Sequence, residues 1–196
     1  MFVLALDLDN TALDYTGAFR RHVAAACGVD PDTLCEPETW EYHEAWKCIR
    51  DREHFVQLHN DAVNAGMFAD LELMPGAAEA LWKLSDAGVH IRVVTHRLFT
   101  NGHHQRTVAD TTACLDARNI PYRSLCFLGD KPQVDADVYI DDGAHNIEAL
   151  RAAGGDAIVF DMPYNRHLGG PRAHDWDEAL ELIMARYQDS QRTPRA

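Results

Sequence analysis

The sequence predicts an α/β fold: a Rossmann-like parallel sheet with helices on both faces, interrupted once by an inserted helical segment. Three observations predict it. Five short aliphatic runs are continuously apolar rather than alternating, as strands buried on both faces should be. Helical patterns lie between the later runs, and strand alternating with helix gives a parallel sheet. Nearly sixty residues separate the first run from the next strand-and-helix unit, too many for a connection in a compact domain.

The first strand is Phe2–Leu6 of MFVLALDLDNTALDY, and Asp7 and Asp9 stand where it ends. Carboxylates two residues apart on an extended chain project to the same side, and like charges at close range push one of the pair toward protonation. Residues 16–73 follow as the insertion, with helix-like segments Ala18–Cys27 and Arg52–Gly66 around the turn-rich stretch VDPDTLCEPET. This segment holds Trp40, Tyr42 and Trp46. The expected division is therefore a core of residues 1–15 and 74–196 and an inserted helical cap of residues 16–73. PGAAEALWKLSDAG (75–88) reads as a helix, with Pro in its first turn and Gly at its end. The remaining strands are HIRVVTH (90–96), RSLCFLG (123–129), ADVYIDD (136–142) and DAIVFD (156–161). Helices are expected at Thr107–Arg118 and Ala144–Ala153, with a closing helix at Trp176–Tyr187 and a frayed tail after Asp189.

Apolar residues make up 46% of the 196, enough for a real core and against disorder. No apolar run approaches the roughly 20 residues that span a bilayer. The apolar start lacks a basic flank and is broken early by Asp7, unlike a secretory leader. A cytoplasmic protein is expected. The formal net charge of −13 argues against nonspecific contact with nucleic acid polymers or an anionic membrane, but not against a small anionic substrate. Five cysteines without a CxxC pair read as reduced thiols.

In an open parallel sheet, ligands bind beyond the carboxyl ends of the strands. The first strand ends in Asp7 and Asp9, followed by Asn10 and Thr11. The second ends in Thr95, then His96 and Arg97. Gly129, Asp130 and Lys131 follow the third, and Asp141 and Asp142 end the fourth. Carboxylates, a hydroxyl and an ammonium converging on one rim suit phosphoryl transfer. A carboxylate nucleophile splits a difficult hydrolysis into two easier steps. Because it meets an anionic phosphate, cations must stand nearby, and Mg²⁺ on carboxylate oxygens is suited to that role. Lys131 can act on phosphoryl oxygens as a point charge, Thr95 can donate a hydroxyl hydrogen bond, and the second carboxylate can serve as acid and base.

DxDxT (Asp7, Asp9, Thr11), a strand-end Thr95, Lys131 and the Asp141–Asp142 pair, in that order and spacing, resemble the haloacid dehalogenase superfamily. The resemblance implies that Asp7 is the nucleophile and Asp9 the general acid/base, its backbone carbonyl also on Mg²⁺. Thr95 and Lys131 would hold the phosphoryl group. Asp142 would be the direct metal ligand, with Asn146 four residues on and Asp141 a supporting acid. The dehalogenases of that superfamily lack an acid at the position of Asp9, so its presence points to phosphate chemistry. The insertion is similar in position to the superfamily's C1-type helical cap. MPGAAEALWKLSDAG, DDGAHNIEALRAAG and FDMPYNRHL resemble the 5′(3′)-deoxyribonucleotidase group and its bacterial relatives. That group has an aromatic residue eight positions after its nucleophile, here Tyr15, which would wall off a nucleoside with help from Trp40, Tyr42 and Trp46. The chain departs from the group in having Asn-Thr-Ala after Asp9, where a Gly-Val or Gly-Thr type sequence is usual.

The expected reaction is therefore hydrolysis of a nucleoside monophosphate, with a sugar phosphate or another small phosphorylated metabolite as the alternative; homodimer formation is left open. His96 and Arg97 are placed to touch phosphate or substrate, and Asn165 and Arg166 either to cap a loop or to border the site. Asp130 reads as an ion-pair partner of Lys131, and Asp135 and Asp137 as a solvated turn. The eleven histidines, His103–His104 included, lack metal-site spacing. A receiver-like phospho-accepting module would gather similar residues, but it has no place for the insertion and no built-in acid/base such as Asp9.

Overall fold

The computed structural model describes residues 1–98 and 103–192. A parallel sheet of six strands runs in the order β3-β2-β1-β4-β5-β6. The strands are β1 (Val3–Leu6), β2 (His90–Thr95), β3 (Ser124–Phe127), β4 (Val138–Asp141), β5 (Ala157–Phe160) and β6 (Arg172–Ala173). Central β1 pairs with β2 through Leu4 opposite Ile91 and with β4 through Leu4 opposite Val138. The chain thus builds outward on both sides of β1, and the strand order reverses there. A crevice at such a switch point is where open α/β sheets take ligands.

Alternation along the strands assigns the two faces. Leu4, Leu6, Ile91, Val93, Ile140 and Ile158 pack toward α4 (Ala77–Ala87), α5 (His104–Ala117) and α7 (Trp176–Arg192). Ala5, Val94, Tyr139, Ala157 and Val159 face the other way and meet Ile147 and Leu150 of α6 (Ala144–Ala152). All four residues of β1 are buried, which is why its run carries no polar alternation.

Between β1 and α4 the ordered elements are helical: α1 (Tyr15–Cys27), α2 (Tyr42–Ala45) and α3 (Arg52–Asn64), with 3₁₀ turns at Pro31–Thr33 and Met67–Ala69. α1 begins three residues before the expected Ala18. Asp14 caps it, accepting from the Gly17 amide at 2.7 Å, a cap worth about 0.5–2 kcal/mol. Gly28 closes it with φ of 66°, its N–H returning to Ala24 O. Asp51 caps α3 through the His54 amide at 2.8 Å. The chain enters and leaves this segment side by side: the Asp14 amide donates to Glu72 O and the Met74 amide to Ala12 O, both at 2.9 Å.

Three expectations need correction. The chain after Asp189 does not fray at once, because α7 runs on to Arg192; residues 193–196 lie outside the described ones. The two-residue β6 was not expected, being too short for a periodic signal. Asp137 is no merely solvated turn residue, since its carboxylate accepts the Val3 amide at 2.7 Å and ties β4's approach to β1. All five cysteines are free thiols, and no helix among the described residues is long and apolar enough to cross a membrane.

Candidate active site

Asp7 follows β1 directly, and its amide extends the ladder to Ile140 O at 3.1 Å. The chain then turns through Asn10, whose φ of 60° lies in the left-handed region that favours glycine and tolerates asparagine. Where a Gly-type sequence is usual, Asn10 thus takes a backbone conformation open to glycine and adds a side chain. Its Oδ1 accepts the Thr16 amide at 2.9 Å, and its Nδ2 donates to the Tyr164 hydroxyl at 3.0 Å.

Asp7, Lys131, Asp141 and Asp142 are all buried and meet at the switch point. Lys131 stands on a 3₁₀ turn (Lys131–Gln133) after β3. Its Nζ donates to Asp7 Oδ1 and, at 2.5 Å, to Asp141 Oδ2. Asp141 also accepts from the Gly143 amide at 2.8 Å and from Asn146 Nδ2 at 3.0 Å, both on Oδ1. Asp142 accepts from Thr11 Oγ1 at 3.2 Å on one oxygen and from the Tyr164 hydroxyl on the other. Asp130 is taken up by Gln133 Nε2 at 2.9 Å, so among the ion pairs of Lys131 it is Asp7 and Asp141 that stand where Asp130 was expected.

One oxygen each of Asp7, Asp141 and Asp142 lie within 4.8 Å of one another. Three carboxylates against one ammonium leave two formal negative charges, the charge of one divalent cation. Burial pushes the Asp7 pKa up to about 7; Lys131 opposes the shift, while Asp141 and Asp9 add to it. Asp142 is held well above the usual carboxylate range by burial and by Asp7 and Asp141. Burial also works against the charge of Lys131, but Asp141 and Asp7 outweigh it and raise its pKa. Hard carboxylate oxygens this crowded fit a small divalent cation.

Thr95 ends β2 buried, and its Oγ1 accepts the Arg97 amide at 3.4 Å. His96 Nε2 is buried without a hydrogen-bond partner among the described residues, and burial lowers the His96 pKa, with Lys131 acting in the same direction. Arg97 holds Asp9 by a two-pronged ion pair, Nε to Oδ2 at 3.1 Å and Nη2 to Oδ1 at 2.6 Å. Its third nitrogen reaches Thr111 Oγ1 at 3.0 Å, and its guanidinium lies 4.2 Å from the Phe68 ring centroid. Arg97, expected to touch phosphate or substrate, is bonded to Asp9, a partner that the sequence did not assign to it.

The aromatic residues divide. Tyr15 stacks between Phe19 and Trp40, at 5.6 and 6.0 Å between centroids, and shares a 2.9 Å hydrogen bond with His59 Nδ1. Trp40 is 46% exposed and packs edge-on against Tyr164 at 5.4 Å. Tyr42 and Trp46 are buried inside the helical segment. Tyr42 bonds Thr16 Oγ1 at 2.7 Å, and the Trp46 indole N–H bonds Cys35 O at 2.7 Å. Both rings, expected to touch the substrate, are enclosed by other aromatic side chains. Asn165 is buried and holds its loop, its Nδ2 donating to Asp142 O at 2.8 Å and Phe160 O at 2.7 Å. Arg166 is mostly exposed and bonds Asp161.

A family model described as 5′ nucleotidase, deoxy (pyrimidine), cytosolic type C matches residues 1–188. The chain belongs to this family. A Chlorobaculum tepidum protein, assigned provisionally as a 5′(3′)-deoxyribonucleotidase, is 37% identical over 184 residues, covering 93% of this chain and 90% of that one. A Bacillus subtilis 5′(3′)-deoxyribonucleotidase is 38% identical over 66 residues, a third of this chain (33%) and 37% of its own. Among solved structures, a haloacid dehalogenase-like hydrolase of Streptococcus pneumoniae superposes with a TM-score of 0.63 at 13% identity, covering 93% of this chain and 98% of that one. The D,D-heptose 1,7-bisphosphate phosphatase of Burkholderia thailandensis gives 0.57 at 11%, covering 94% and 99%. At these identities the structures establish the fold, which is that of the haloacid dehalogenase hydrolases, and the family match establishes a 5′-nucleotidase hydrolase. Tyr164 and Asn10 are the residues of this site that sequence reasoning missed; their only signals were the FDMPYNRHL segment and the departure after Asp9.

Proposed function

We propose that this nucleotidase hydrolyses a deoxyribonucleoside monophosphate, with Mg²⁺, through a phosphoryl group carried on Asp7. The observation that supports this reading is the buried quartet of Asp7, Lys131, Asp141 and Asp142 beside an ion-paired Asp9. Asp7 and Asp142 would hold Mg²⁺ through their carboxylates and Asp9 through its carbonyl. When bound, the ion supplies positive charge against the phosphate oxygens and keeps Asp7 ionised. Asp141 holds Lys131 in position from behind.

In the first half-reaction an Asp7 oxygen attacks phosphorus as the bond to the nucleoside oxygen breaks, and Asp9 gives that oxygen a proton. In the second, Asp9 takes a proton from water as the water attacks the phosphoryl group, which leaves as inorganic phosphate and frees Asp7. Lys131, Thr95 and His96 contact the phosphoryl oxygens. Arg97 aims Asp9; a fork that grips both oxygens of a carboxylate must yield one of them when Asp9 carries the proton. Residues 16–73 act as the cap, with Tyr15 and the exposed Trp40 forming its wall toward the nucleoside and Tyr42 and Trp46 supporting them from within. Excluding bulk water there protects the acyl phosphate.

The test is phosphate release from 5′- and 3′-deoxynucleotides, ribonucleotides and sugar phosphates with Mg²⁺. Deoxynucleotides should give the highest kcat/KM, and Asp7→Asn should abolish turnover with its circular dichroism unchanged. A sugar phosphate outrunning every nucleotide would overturn the substrate reading, and an active Asp7→Asn the nucleophile.

A further inference from the structure

Tyr164 touches both a carboxylate of the acidic cluster and the helical segment. It stands in a 3₁₀ turn, Pro163–Asn165, just after β5. Asn165 locks that turn to the sheet: it donates to Asp142 O and Phe160 O and accepts from the Met162 amide at 3.1 Å and Arg172 Nη1 at 2.7 Å. The Tyr164 ring therefore starts from a rigid base rather than a free loop.

The direction of its hydroxyl proton follows from the neighbours. Asn10 Oδ1 accepts the Thr16 amide, so the atom of Asn10 facing Tyr164 is its NH₂ group, which can only donate. The Tyr164 oxygen accepts that bond, and its own hydrogen is left to point at Asp142 Oδ2. Thr11 Oγ1 donates to Oδ1 at 3.2 Å. Two hydroxyls, one on each oxygen, set the rotation of the Asp142 carboxylate while it faces Asp7 and Asp141. On its other side the ring meets Trp40.

We infer that Tyr164 is a positioning residue for the divalent cation: with Asn10 behind it, it orients Asp142 as a ligand and carries Trp40 on the same ring. This rests on the cation-binding reading above. Partners of this kind, bonded to a ligand rather than to the metal, typically change affinity 10–100-fold when removed. The phenylalanine substitution keeps the ring and its contact with Trp40, and removes only the hydroxyl.

The experiment is calorimetric titration of the metal-free, full-length protein with MgCl₂, without substrate, for wild type, Tyr164→Phe and Asn10→Gly. Glycine suits the positive φ of residue 10 and removes the side-chain amide, with its bonds to Tyr164 and to the Thr16 amide. Tyr164→Phe should bind Mg²⁺ 10–100-fold more weakly with its Tm in EDTA little changed, and Asn10→Gly should shift affinity the same way by less. Tyr164→Phe binding within twofold of wild type overturns the inference and leaves the cation reading standing. A wild type that binds no Mg²⁺ overturns both. If Tyr164→Phe lowers Tm and affinity together, Asn10→Gly decides: unchanged affinity there assigns Tyr164 to packing and overturns the inference.

Discussion

A carboxylate whose pKa is raised by folding makes stability depend on pH in a definite sense. Asp7 goes from 3.8 to about 7 because burial, aided by Asp141 and Asp9, outweighs the help of Lys131. The folded state therefore binds more protons there than the unfolded chain. Its contribution is fully present below 3.8 and is lost as pH rises through about 7. Asn cannot ionise, so metal-free Asp7→Asn should gain Tm over metal-free wild type as pH climbs across that window. A widening of about 2–4 °C corresponds to about 1 kcal/mol in a chain of this size; a gap independent of pH in thermal melts would contradict it. Arg97 makes the second residue-scale case. Arg97→Lys keeps a charge near Asp9 but loses the fork, so kcat should fall about 10–100-fold, less than the roughly 10²–10⁴-fold that a positioned acid/base supplies, with KM little moved. Steady-state kinetics on a deoxynucleotide checks this. The partnership was invisible in the sequence because 88 positions separate the two residues and a lone arginine after a strand has many uses. The carboxylates themselves were legible, since each pair ends an apolar run.

At the scale of elements, the helical segment sorts its tryptophans by exposure. Trp46 is enclosed by Phe19 and Tyr42, with ring centroids 5.9 and 4.9 Å away, so Trp46→Ala should cost about 3–5 kcal/mol in denaturant unfolding. Trp40, 46% exposed, should cost far less stability on truncation, and its loss should appear as a raised KM with a smaller change in kcat. Composition placed three aromatic residues in the insertion but not their faces, because the stretch around the four-residue α2 has too few turns to carry a period. The longer helices were legible where caps and period agreed, as in α4; α1 was read late because Asp14 begins it ahead of its apolar face.

For the whole molecule, the net charge of −13 and the crowded carboxylates act in the same direction. A cation that binds only the folded state raises stability by about 2.7 kcal/mol at 100 times its dissociation constant. Adding EDTA to the Mg²⁺-loaded protein should therefore lower Tm at pH 8 and lower it less at pH 5, where protons compete for Asp7. Equal drops at both pH values in scanning calorimetry would count against the acidic cluster as the seat of binding. The sheet that assembles this cluster was readable because both flanks of β1 announce themselves as apolar runs; β6, two residues long, could be found only once Val159 and Phe160 had somewhere to pair. One further consequence lies in the strap between sheet and helices. Leu13 bridges to Asp9 on one side and to Leu73 on the other, so the incoming tether, the outgoing tether and Asp9 share one backbone joint. Displacing either tether would strain that joint, and Asp9 is the residue on its far side.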